Sequence, residues 1–198
     1  MIAIVDYGAG NLTSVAKAFR YLGVETQVTA DPAFVRKADA VVLPGVGHFS
    51  STSVIGERGL TPAIRDAMEN KKPFLGICVG LQWMYKGSEE APDVPGLGCF
   101  AGRCRRFPAD ARVPHVGWNQ IRITHPSRLL NGVPDGSYVY YTHSYFGPVV
   151  SETVAVTDYG APFTAVAESE NLFAVQFHPE KSDEAGLAIL RNFARLAC

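Results

Sequence analysis

Cys78 stands between two glycines in the stretch FLGICVGLQ, residues 74–82. A strand-like apolar lead-in, then Gly76-x-Cys78-x-Gly80, then a helix-like lead-out, have the spacing of a G-x-S-x-G nucleophile elbow with a thiol in place of the hydroxyl. A sharp strand-to-helix turn strains the backbone of the nucleophile and brings neighbouring chain close. Small residues are therefore needed two positions before and two after. The side chain is left at the carboxyl end of the strand, above a helix N-terminus that favours negative charge. The Val79 backbone N–H is placed to stabilise an oxyanion. The same stretch also reads as a structural cysteine closing a core strand, and taken alone it leaves both readings open.

A cysteine nucleophile needs a base, and the base needs an orienting group. FAVQFHPE, residues 173–180, supplies both. His178 follows an apolar strand, Glu180 comes two residues later, and Pro179 between them restricts the backbone on either side. Residues two apart on extended chain project to one side, so the carboxylate can face the imidazole and fix its tautomer. A solvated His and Glu at a strand end is the bland alternative for either alone. Pro44-Gly45-Val46-Gly47 ends another strand. Its two glycines permit close approach to a ligand, and an N–H of this turn is a candidate second oxyanion donor. His48, His115 and His125 are weaker candidates, read as structural or surface residues. Gly8-Ala9-Gly10 lacks the third glycine of a dinucleotide fingerprint, Thr13 standing in its place, and no phosphate-binding P-loop is present.

The strands and helices that carry these residues follow from periodicity. IAIVDY (2–7), VETQVT (24–29), AVVLPG (40–45) and PFLGI (73–77) read as strands, and helical spacing appears in Leu12, Val15, Ala16, Phe19 and Leu22, at 61–69, and from Leu81 onward. Asn11 is the expected N-cap of the first helix and Gly23 its stop. This alternation predicts a parallel sheet covered on both faces. After about residue 95, NQIRIT, VYYTHSYF, ETVAVTDY, FTAVAES and LFAVQF read as strands joined by short turns. Asp183 is the expected cap of a last helix with a stripe of Leu187, Leu190, Ala194 and Ala197. The fold class is α/β: a mostly parallel central sheet flanked by helices, with an antiparallel strand extension in the second half, all in one domain over 1–198.

Composition narrows the function classes. The chain has 198 residues, 47% of them hydrophobic, and a net charge of −1. That suits a globular protein and argues against a general nucleic-acid binder. No apolar run reaches the ~18 residues of a membrane span. The start lacks the basic region of a signal peptide. The four cysteines, Cys78, Cys99, Cys104 and Cys198, form no C-x-x-C pair and no zinc spacing. Free thiols in a cytoplasmic protein with no metal are the expectation.

PGVG, GICVGLQ and FHPE, in that order, resemble the class I (triad) glutamine amidotransferases. The resemblance extends through IAIVDYGAGNLTSVAKAFRYLG, PGVGHF, SEE at 88–90, HVGWNQI at 115–121, YYTHSY and FHPEKS. It covers essentially the whole chain. It implies Cys78 as nucleophile, His178 as general base and acid, and Glu180 as the orienting carboxylate. Oxyanion N–H groups would come from Val79 with Gly45, Val46 or Gly47. Gln82 resembles the family glutamine that helps hold the substrate, Glu90 matches the position that meets its α-ammonium, and His143 and Ser144 match a segment contacting its carboxylate end. Valine at 79 and leucine at 81 replace the commoner leucine and methionine and keep the apolar character. No cofactor is implied. The implied partner is a (β/α)8-barrel cyclase subunit that consumes the ammonia, docked on a patch for which Trp118, Asn119, Tyr141 and Lys181 are candidates. A mobile PGVG turn would then be the switch that completes the oxyanion hole. The rival readings are a glutaminase subunit serving pyridoxal phosphate or guanylate synthesis, a stand-alone cysteine hydrolase, and a noncatalytic binding module.

Overall fold

The computed structural model describes residues 1–197; Cys198, one of the expected free thiols, lies outside the described residues. Four strands open the chain: β1 (Ile2–Val5), β2 (Thr26–Thr29), β3 (Ala40–Gly45) and β4 (Phe74–Cys78). Between and after them lie α1 (Leu12–Tyr21), α2 (Pro32–Lys37), α3 (Ser53–Glu57), α4 (Leu60–Glu69) and α5 (Val79–Met84). The short strands β5 (Gly87–Ser88), β6 (Ala91–Pro95) and β7 (Arg105–Arg106) follow. Then come β8 (His115–Gln120), β9 (Arg122–Ile123), β10 (Tyr138–His143), β11 (Tyr145–Phe146), β12 (Thr153–Asp158), β13 (Pro162–Ser169) and β14 (Leu172–Val175). The chain ends in α6 (Asp183–Leu196).

Eight strands form the central sheet in the order β2-β1-β3-β4-β14-β13-β12-β9. Pairing is parallel from β2 to β14 and antiparallel from β14 to β9. Every residue of β1, β3 and β4 is buried. That is why these strands read as continuous apolar runs: a parallel strand covered on both faces has no solvent side to mark with polar residues. The fold is thus the mostly parallel α/β sheet with an antiparallel extension that the sequence predicts. The carboxyl ends of β1, β3, β4 and β14 lie side by side, the position at which open sheets of this kind bind ligands.

Two expected caps are not made. Asn11 precedes α1 but forms no side-chain cap bond. Asp183 is the first residue of α6 rather than its cap, at φ +45°, and with Glu184 it places negative charge in the first turn, where the helix dipole favours it. The buried face of α6 centres on Ile189, Leu190, Phe193 and Ala194, with Leu187 only half-buried.

Gly186 lets α6 rest against the turn that follows β14. A methyl group there would lie 1.9 Å from the Pro179 carbonyl oxygen. A helical glycine normally gains about 1 kcal/mol on becoming alanine. Gly186→Ala should instead lose roughly 2 kcal/mol, because the clash is with backbone. Urea denaturation checks the sign, and a stabilised variant would contradict the packing described.

Candidate active site

Cys78 is the last residue of β4 and sits at φ +56°, ψ −107° immediately before α5. That conformation is strained for a residue with a side chain. Its neighbours make it possible. A methyl group at Gly76 would fall 2.6 Å from the Gly80 carbonyl oxygen, and one at Gly80 would fall 2.0 Å from the Leu43 carbonyl oxygen. The two glycines of the elbow are therefore required by backbone contact. Gly45 is opposite Cys78 in the β3–β4 register. A methyl group at Gly45 would meet the Val79 side chain at 2.6 Å and the Tyr7 hydroxyl at 2.7 Å.

β14 ends one strand over, and the chain continues through Gln176 and Phe177 to His178. His178 Nδ1 and Glu180 Oε1 are 2.9 Å apart, and both side chains are almost wholly buried. The turn at Pro179–Lys181 folds the carboxylate back under the ring. The His178 N–H donates to the Tyr140 carbonyl at 2.9 Å, clasping this turn to β10, and within the turn Ser182 Oγ donates to the His178 carbonyl at 2.7 Å. The same Ser182 oxygen accepts the Tyr140 N–H at 2.9 Å. Burial opposes a proton on His178, but the adjacent Cys78 sulfur and Glu180 outweigh it and raise the imidazole well above its ordinary range. His178 Nε2 and Glu180 Oε2 are buried without a hydrogen bond of ordinary geometry. The arrangement holds a proton between sulfur and imidazole, with the carboxylate fixing the ring.

A cavity of about 220 Å³ opens over the sulfur, lined by Gly47, Cys78, Val79, Gln82, Glu90, Pro114, Thr142, His143, Ser144 and Tyr145. Among the residues expected there, Val79, Gly47, Gln82, Glu90, His143 and Ser144 thus surround one space with Cys78. Gly45 lies behind it in β3, and Val46 is half-buried in the turn between. Glu90 already accepts the Phe49 N–H at 2.8 Å through Oε2, which ties it to the segment after the PGVG turn.

The docking candidates divide. β8 and β10 form a two-stranded antiparallel ribbon with Trp118 opposite Tyr140 and Gly117 opposite Tyr141. Trp118 is 48% exposed, and Val116 and Tyr138 more so. Lys181 is exposed and lies 5.6 Å from the Tyr140 ring centroid. Tyr141 is fully buried, its hydroxyl bonded to Thr157 at 2.7 Å, so it cannot contribute to a docking face. The two-residue period of the strand turns Tyr141 inward and Tyr138 and Tyr140 outward. Asn119 is half-buried and its amide donates to the Asp158 carbonyl at 3.1 Å, away from the outer face.

Gln176 and Tyr7 are buried at the site though the sequence did not single them out, and His115, read as structural or surface, pairs with the site candidate His143. Gln176 Nε2 lies 3.6 Å from the Cys78 sulfur. Its signal was available: it stands two residues before His178, and strand alternation sends both to one side. The Tyr7 hydroxyl, just past β1, is buried without a hydrogen-bond partner of ordinary geometry beside Gly45. His115 is buried and its Nδ1 lies 3.2 Å from His143 Nε2, while His143 Nδ1 lies 2.9 Å from the Tyr145 carbonyl. A carbonyl only accepts, so His143 carries its proton on Nδ1 and its Nε2 accepts from His115 Nδ1–H. The Asn119 amide that donates to the Asp158 carbonyl also donates to His115 Nε2 at 3.4 Å, so His115 has its one proton on Nδ1 and both rings are neutral. Burial pushes His115 down to about 4 and His143 down to about 3.

Known proteins share both the sequence and the fold. A family model described as "Glutamine amidotransferase class-I" matches residues 3–197. The chain is 51% identical over 197 residues, 99% of this chain and 98% of the relative, to a protein of Methanothermobacter thermautotrophicus called imidazole glycerol phosphate synthase subunit HisH. It is 46% identical to the Moorella thermoacetica protein of the same name, covering 98% of this chain and 94% of that one. Among solved structures, a glutamine amidotransferase superposes with a TM-score of 0.78 at 19% identity, covering 100% of this chain and 99% of the other. The glutaminase domain of a Trypanosoma brucei protein, CTPS, superposes with a TM-score of 0.68 at 17% identity, covering 98% and 93%. These two share the fold.

The neutral pair sets a pH dependence. Below the ordinary histidine value of 6.5 the unfolded chain binds protons that the folded chain refuses, down to about 4 for His115 and about 3 for His143. Stability therefore falls as pH falls through that window, by up to ~1.4 kcal/mol per pH unit for each ring. His115→Gln should flatten the slope of unfolding free energy between pH 6 and about 4.5 by up to ~1 kcal/mol per unit. Denaturant titrations across that range that gave the same slope for both chains would contradict the assignment.

Proposed function

We propose, because this chain belongs to the class-I glutamine amidotransferase family, that the cavity over Cys78 splits glutamine into glutamate and ammonia. The chain is the glutaminase subunit of an imidazole glycerol phosphate synthase and serves histidine biosynthesis, as its relatives' name implies. The observation that carries the chemistry is the buried His178–Glu180 pair set against a cysteine on a strained, glycine-flanked elbow.

The residues take the following roles. The Cys78 sulfur gives its proton to His178 and attacks the carbon of the substrate's side-chain carboxamide. Negative charge grows on the amide oxygen and is met by the Val79 N–H and an N–H of the turn at Gly45, Val46 and Gly47. His178 returns the proton to the departing nitrogen, and ammonia leaves. The same imidazole then takes a proton from water, which attacks the thioester and frees glutamate. Glu180 keeps the ring in register throughout and favours the imidazolium that forms in each half. Gln82, Glu90, His143 and Ser144 line the space in which the substrate's amino-acid end is held. The steps use only protein groups and water.

Ammonia in neutral water becomes ammonium and loses its lone pair, so the product has to pass directly to the enzyme that uses it. The chain works with a cyclase subunit, for which we assign a (β/α)8 barrel. That subunit joins the ammonia to a phosphoribulosyl-formimino carboxamide nucleotide, giving imidazole glycerol phosphate and an aminoimidazole carboxamide ribotide. It docks on the outer face of the β8–β10 ribbon, where Trp118 and Lys181 are exposed. The complex works in the cytoplasm, and among the described residues no helix is long and apolar enough to cross a membrane. Turnover waits on the partner because the PGVG turn forms the oxyanion hole on demand.

Glutamate release, measured on the chain alone and with the cyclase and its nucleotide, tests this reading. Strong stimulation is expected, and Cys78→Ala should cut turnover at least about 10³-fold. Turnover near that of the parent chain in Cys78→Ala would remove the nucleophile assignment. Trp118→Ala should weaken cyclase binding by roughly thirtyfold, as for a central aromatic anchor. Titration calorimetry giving parent-like affinity for both Trp118→Ala and Lys181→Ala would move the docking face elsewhere.

A further inference from the structure

Gln176 is fully buried in the chain segment between β14 and His178. Its amide is used at both ends. Nε2 lies 3.6 Å from the Cys78 sulfur, and Oε1 lies 3.3 Å from Gln82 Nε2. Gln82 in turn donates to the Tyr145 carbonyl at 2.8 Å. That carbonyl also accepts from His143 Nδ1 at 2.9 Å.

The direction of each bond follows from the one before. The Tyr145 carbonyl has no hydrogen to give, so both groups on it are donors. The Gln82 group that reaches it is therefore the NH₂ end, and the second hydrogen of that NH₂ points at Gln176. An NH₂ cannot accept, so Gln176 must present its oxygen to Gln82. Its own NH₂ end is then the one that faces the sulfur. The orientation of Gln176 is fixed by a backbone carbonyl two hydrogen bonds away, with no freedom to flip.

We propose that Gln176 is a catalytic residue, the hydrogen-bond donor that holds the Cys78 sulfur as a thiolate, and that Gln82 acts as its positioning residue as well as lining the substrate cavity. The sulfur is then held between an imidazolium and a neutral amide. A donor to sulfur matters at two points. Before attack it favours the charged form of the nucleophile. In the second half-reaction water adds to the thioester carbon, and the carbon–sulfur bond breaks with its electron pair going to sulfur. The amide N–H meets that returning charge, and His178 supplies the proton balance by taking one from the attacking water. Hydrogen bonds to charged groups are stronger than neutral ones, so the amide favours the charged sulfur of each end state over the neutral thiol or thioester. The proposal rests on the glutaminase reading only for the identity of the acyl group; the sulfur–amide contact is independent of it.

The test reads the sulfur directly. The full chain, with and without its cyclase partner, is treated with iodoacetamide across a pH series. Alkylation of the Cys78 peptide is followed by mass spectrometry, so that Cys99, Cys104 and Cys198 do not contribute. Gln176→Met keeps the volume and removes the donor. Its alkylation midpoint should move to higher pH by about one unit, a tenfold change in the ionisation equilibrium. Gln82→Met, which releases the orientation of Gln176, should move it the same way by less. Gln176→Glu places an acceptor against the sulfur and should move it furthest. A midpoint in Gln176→Met equal to that of the parent chain, with an unchanged melting temperature, overturns the proposal. Should Gln176→Met fail to fold, the same criterion applies to Gln82→Met and Gln176→Glu. The midpoint is measured without glutamine, so a chain that lacked glutaminase turnover would still give a decisive shift or none.

Discussion

The site depends on how closely two backbones approach. The first turn of α5 lies so near β3 that the Gly80 α-carbon faces the Leu43 carbonyl with no room for a methyl group. Gly76 stands in the same relation to Gly80. This contact folds the chain back at Cys78 and holds it at positive φ, which sets the buried Cys78 side chain at the edge of the core, against the cavity. The strain is stored locally and stabilised by the fully buried parallel strands around it.

The second dependence is on order within the sheet. β14 is the last strand of the parallel set and the first of the antiparallel set. It brings Gln176 and His178 beside Cys78 from nearly 100 residues away in sequence. β10 lies outside the central sheet, paired with β8. Tyr140 of that ribbon bonds through its backbone to His178 and to Ser182, while its ring lies under Lys181 and against Trp118. One strand therefore touches both the exposed ribbon face and the His178 segment beside Cys78. A partner pressing on Trp118 would act on the segment that positions His178.

Much of this is legible in the sequence. The elbow is readable because it is local: two glycines, a strand before and a helix after define the geometry within nine residues. His178 and Glu180 are readable for the same reason. The parallel strands announce themselves as unbroken apolar runs. Tyr141 is not readable from residue type, because YVYYTH offers three tyrosines and only the phase set by buried Val139 turns Tyr141 inward. Asn11 and Asp183 are capping residue types, but their backbone torsions are not those of caps. Gln176, and the contact between His115 and the site candidate His143, escape for a different reason. Their roles come from partners distant in the chain, and periodicity alone cannot say which buried polar side chains will meet.

The proposed reaction requires Cys78 to form a covalent bond to the substrate on this elbow. The most direct test is to quench the complex during steady turnover of glutamine with acid and to analyse the Cys78 peptide by mass spectrometry. A γ-glutamyl thioester on Cys78, absent before glutamine is added and lost on longer incubation, is the predicted result. Sustained glutamate production with Cys78 unmodified at every quench time and freely replaceable by serine would contradict it.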